Sequence, residues 1–268
     1  MAAYCVSSGK RWKEFEREWW KIAKDSGFKH FHMTEFASCR MDAWCRDCKK
    51  GKTDALDHPW RGWPNEKRQR VLKRLARTIS RYAQHGAGIA IAKGDYENVV
   101  LKSDLLQLAP EAAGRRHFTF AMQTCGGHLA KWRAEKKITN PMKFVFDLSD
   151  KEQKDENVRY FFGAKDHPKP QIKDGLEQWF IPIAIAYESR KTTVQLLSAD
   201  MLAWVSAKIH AAQLFKVRLH PDAFTVASIF LEGEKLGMGN VGQGDLKEWA
   251  TGEIALRRAK RFPSSTNA

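Results

Sequence analysis

GAGIAIA, Gly86 to Ala92, decides the fold class. The stretch is short, continuously apolar and free of charge, which is how a strand covered on both faces reads. Helical patterns flank it. Before it, Pro64 suits the first turn of a helix to about Gln84, with Val71, Leu72, Leu75, Ile79 and Tyr82 as its apolar stripe. After it, Asp95 is placed to cap a short helix through about Leu108, ended by Pro110. The same alternation recurs downstream. MKFVFD (Met142 to Asp147) and WFIPIAIAY (Trp179 to Tyr187) read as two more buried strands. Helical segments are expected over Glu111 to about Lys136 and Thr193 to about Phe215, and Lys151 to Gly163 reads as a charged helix or loop. Strands separated by helices predict an α/β class with a sheet covered on both faces.

Working outward, YCVSS (Tyr4 to Ser8) reads as a first strand fragment. A helix follows over Arg11 to Lys24, with Trp12, Phe15, Trp19, Ile22 and Ala23 at helical spacing and Gly27 as its stop. No internal repeat or low-complexity linker divides the chain, so residues 1–268 are expected to form one domain. That domain carries a cysteine-bearing insertion at about 38–63 and an irregular C-terminal extension from about 216, rich in glycine and holding two short helices.

The chain has 268 residues, 43% of them hydrophobic, enough for a sizeable core. No apolar run approaches the roughly 18 residues of a membrane span, and MAAYCVSSGKRW lacks the pattern of a signal peptide. Five cysteines, an odd and sparse set, point to a reducing, cytoplasmic setting. The formal charge of +15 is the strongest bulk signal. It raises the local concentration of polyanions, so nucleic acid is the natural partner, with plain solubility as the competing account.

Four residues are candidates for chemistry. Asp200 lies in VQLLSADMLAW, where Leu196, Leu197, Ala203 and Trp204 stand three and four positions away. A carboxylate among such neighbours needs compensation from an arginine, a set of backbone donors or a cation. Asp147 ends the strand FVFD, at a carboxyl end of the kind that lines the ligand crevice of α/β folds, although it can equally begin a turn or cap the next helix. Two such acids suit Mg²⁺ or Mn²⁺, hard cations that take carboxylate oxygens. In FHMTEF, His32 and Glu35 share one face of a helical turn as a catalytic or metal-proximal pair, unless the stretch is a cap in which Thr34 or Glu35 meets free amides. Cys39, Cys45, Cys48 and His58 match no standard zinc spacing, so free thiols in a surface insertion are expected rather than structural zinc. GEKLGMGNVGQGD is not a phosphate-binding loop. The run KRQRVLKRLARTISR reads as a solvated cationic helix face that serves solubility or tracks phosphates.

Taken together, FHMTEF, FVFDLSD and VQLLSADMLAW, preceded by the RWKEFEREWW helix, resemble the DUF3800 family, whose fold is ribonuclease H-like. The resemblance spans roughly Tyr4 to His210. It implies a mixed sheet flanked by helices and metal-dependent cleavage of nucleic acid. Asp147 and Asp200 would hold the metal, Glu35 would act as a further ligand or water-orienting base, and His32 would position phosphate or shuttle a proton. One departure stands out. The family's opening strand, with its Asp-Glu-Ser-Gly-like motif, has no counterpart here, because Met1 falls at about the second strand. Either the start lies upstream of Met1, which is the favoured expectation, or the chain is a remnant, or another segment fills the gap. The alternative to a nuclease is a nucleic-acid-binding protein without catalysis.

Overall fold

Ser8 starts the first helix by accepting a hydrogen bond from the Arg11 N–H, and Gly27 stops it in the left-handed region at φ 82°. This helix, α1 (Gly9–Ser26), buries Phe15, Trp19 and Ile22 along one stripe. The computed structural model describes residues 1–39, 59–103, 117–147, 182–189, 192–241, 243–248 and 250–251. Within them the strands are β1 (Ala2–Val6), β2 (His85–Ile91), β3 (Met142–Asp147), β4 (Pro182–Glu188) and β5 (Leu236–Val241). The helices after α1 are α2 (Met33–Ser38), α3 (Asn65–Tyr82), α4 (Lys93–Tyr96), α5 (His117–Glu135), α6 (Gln195–Phe215) and α7 (Pro221–Glu232). A π-turn, Glu97–Leu101, extends α4. That helix begins at Lys93 with no side-chain cap, so Asp95 lies inside its first turn and does not cap it.

The chain is α/β, with its described strands in two sheets. One has the order β1-β2-β5, with β1 antiparallel and β5 parallel to β2; β3 and β4 form a separate parallel pair. α6 covers one face of the first sheet and α5 the other. Gly88 of β2 sits directly under α6, where a Cβ would meet Ser206 Oγ at 2.3 Å and the Leu202 carbonyl at 2.9 Å. Glycine there lets helix and strand approach at backbone distance. Full burial of every strand is not what forms. β2 is buried along most of its length, whereas β1 and β3 are half-exposed.

The C-terminal part holds one helix of the kind expected there, but it is not an irregular extension. α7 packs on α3 and α6, and LGMGNV is a strand paired with all but the first residue of β2, from Gly86↔Leu236 to Ile91↔Val241. Its glycines conceal it from a propensity reading, because glycine is depleted in strands. Leu236 and Met238 pack with the main core while Val241 reaches the second one, an alternation the sequence does carry.

The main core joins α1, α2, α3, α6 and α7 around an aromatic group of Trp19, Phe28, Phe31, Phe36 and Trp60. α1 and α3 run antiparallel. The Arg11 guanidinium donates to the Tyr82 and Arg81 carbonyls at one end, and Asp25 meets Arg74 toward the other. Arg68 is not on a solvated face as its basic run suggests. It is 3% exposed and donates to the carbonyls of Cys39 at 2.9 Å, Trp60 at 3.1 Å and Phe36, with its guanidinium 4.2 Å from the Phe36 ring centre. It thereby ties α3 to the ends of the segment that bears the cysteines.

Candidate functional site

Asp200 projects from the second turn of α6 toward the start of α2. Its Oδ2 accepts a hydrogen bond from the Met33 N–H at 3.0 Å. The His32 Nδ1 lies 3.4 Å from the same oxygen. The compensation sought for this carboxylate is therefore, in part, a backbone donor across 167 positions of sequence, with an imidazole beside it. Both side chains are 20% exposed, so the pair sits at the surface end of the core.

His32 is also the N-cap of α2, its Nδ1 accepting from the Thr34 N–H at 3.2 Å. An Nδ1 that accepts carries no proton, which puts the proton of the neutral ring on Nε2. Nδ1 and Asp200 Oδ2 are then two acceptors side by side. Glu35 lies in the first turn of α2, and its carbonyl accepts from the Cys39 N–H. FHMTEF thus carries a cap, but the N-cap side chain is that of His32 rather than Thr34 or Glu35.

Asp147 is the last residue of β3, and β3 touches α6. The structure brings His32 and Asp200 into contact and sets Glu35 on the short helix that Asp200 anchors. Among the described residues, no three His, Cys, Asp or Glu side chains converge as a group able to hold a metal ion. Of the Asp200 oxygens, Oδ2 is already used by Met33. Cys39 is fully buried, and its carbonyl accepts from Arg68. Cys45, Cys48 and His58, the other residues considered for zinc, lie outside the described residues.

A second arrangement concerns charge. On α3, Arg70, Lys73 and Arg77 are exposed at i, i+3 and i+7; on α1, Lys13, Arg17 and Lys21 are exposed at i, i+4 and i+8. None of the six has an ion-pair partner among the described residues, whereas Arg74 and Arg81 are held by Asp25 and Glu18. A groove between the two helices is lined by Glu14, Arg17, Glu18, Lys21, Arg74 and Tyr82. The α1 stripe was not singled out from sequence, although its four-residue spacing was visible there.

No described helix is long and apolar enough to cross a membrane. Compared with family models, curated proteins and solved structures, the chain matches none.

Proposed function

We propose that this protein binds nucleic acid through the cationic stripes of α1 and α3. The observation that carries the reading is Arg70, Lys73 and Arg77: three exposed cations on one helix face without carboxylate partners among the described residues. Side chains that neutralise phosphates release counterions and make binding strongly salt-dependent. Fluorescence anisotropy with labelled DNA, RNA and hybrid duplexes tests this. The variant Arg70→Gln/Lys73→Gln/Arg77→Gln should weaken binding of every substrate and reduce the log–log salt slope by about 2–3. Binding unchanged in that variant, or no binding at low salt, would refute it.

A second reading, divalent-metal nuclease chemistry in a ribonuclease H-like frame, draws support from Asp200, His32 and α2. It also draws on the contact between α6 and the strand that ends in Asp147. In that frame the β1-β2-β5 sheet and the β3-β4 pair are two parts of one sheet, and the half-exposure of β1 and β3 supports this. Its test is hydrolysis of the same substrates with Mg²⁺ or Mn²⁺. Cleavage abolished by chelator and by Asp200→Asn supports the nuclease. Salt-sensitive binding indifferent to both leaves the non-catalytic reading standing.

A further inference from the structure

α7 buries Ala223, Val226, Ala227 and Phe230 against the core and turns a second apolar stripe outward. On that outer stripe Phe224 is 64% exposed and Leu231 is 60% exposed, with half-exposed Ser228 between them. Phe224 and Leu231 are seven residues apart, about 10 Å along one face of the helix. Just before α7 in the chain, Leu214, Phe215 and Val217 are also exposed. At such exposures these five side chains together leave on the order of 500 Å² of apolar surface in water. A stable interface takes about 800 Å² per partner, so a charged rim completes the area.

The rim indicates the partner. Lys216 and Arg218 stand exposed ahead of the N-terminal end of α7; at the other end Glu232 and Glu234 outweigh Lys235. None of the five has an ion-pair partner among the described residues. Reversing one copy of α7 against another sets basic end against acidic end and opposes the two helix dipoles. It also sets Phe224 against Leu231, with the small Ser228 at the midpoint where the helices must come closest. A surface that is complementary to itself under a half-turn is an isologous interface.

We propose that α7 pairs with α7 of a second copy of this chain, antiparallel about a two-fold axis beside Ser228. Phe224 of each copy packs on Leu231 of the other. Sedimentation equilibrium of the full chain over roughly 1–100 µM tests it. The mass should rise with concentration from that of one chain toward two. Phe224→Lys and Leu231→Lys, both at exposed positions, should hold it at one chain with unchanged circular dichroism. Lys216→Glu/Arg218→Glu should weaken association by about tenfold, and adding Glu232→Lys/Glu234→Lys should restore it. A natively folded single chain at the highest concentration overturns the proposal. So does a dimer that both lysine variants leave intact, because the contact would then lie elsewhere.

Discussion

Replacing Arg68 with methionine removes a buried guanidinium while keeping an unbranched side chain of similar reach. In the native protein this group, 3% exposed, supplies donors to three carbonyls, those of Phe36, Cys39 and Trp60. It also lies 4.0 Å from Asp222, a carboxylate only 1% exposed whose other oxygen accepts from the Gln69 amide at 2.6 Å. Each hydrogen bond from a charged donor is worth about 1.5–3 kcal/mol, and carbonyls left buried without a donor cost about 1–3 kcal/mol each. Relief of the desolvated guanidinium offsets part of this, as does the packing of methionine on Phe36. Breaking a buried ionic arrangement from one side leaves a net loss of about 3–5 kcal/mol. That is a large fraction of a typical stability of about 5–15 kcal/mol. At this chain length it corresponds to a fall in Tm of roughly 10 °C. Urea and thermal unfolding followed by circular dichroism measure it. Arg68→Lys should fall between the two proteins, since one ammonium lacks the planar fork that serves three carbonyls. A loss below about 1 kcal/mol in Arg68→Met would refute the reasoning, because the three carbonyls would then not depend on this side chain.

Gly88→Ala places a methyl 2.3 Å from Ser206 Oγ and 2.9 Å from the Leu202 carbonyl, so α6 must move off β2. The expected cost is about 1–3 kcal/mol in the same unfolding assay. The His85 ring stacks on Trp132 at 4.7 Å and contacts the Tyr4 hydroxyl at 2.9 Å; burial, then His128, lower its pKa against smaller opposing effects of Lys235 and Glu135. The unfolded chain then takes up the proton first. Stability is full above the unfolded value near 6.5 and declines as pH falls from there to the lower folded value, and His85→Asn should flatten that decline in melts recorded across the window. Burial pushes the thiol of Cys125 up to about 12, so peptide mapping after iodoacetamide at pH 8 should find it unmodified until the protein is unfolded.

Local periodicity was enough for much of the helical frame. The spacing of Phe15, Trp19 and Ile22 with Gly27 beyond them delimits α1, and MKFVFD delimits β3 to the residue. The candidate site was legible only as residue types. That Asp200 sits in an apolar run is visible in one dimension; that the Met33 N–H donates to it with the His32 ring alongside is not, since both belong to a segment far away in the sequence. β5 stayed hidden for a related reason: glycines depress strand propensity, and only the partner strand β2 compensates for them.

By itself, the sequence determined the approximate extent of the longer helices and of several strands, the α/β class and the cationic character of the chain. These follow from spacing, capping and composition, which act over a few residues or over none in particular. Tertiary structure alone decided which sheet each strand joins, which neighbour satisfies Asp200, and why Arg68 is buried while Arg70, two positions on, faces water. Those outcomes depend on the desolvation and hydrogen bonding of groups that meet only when distant segments pack.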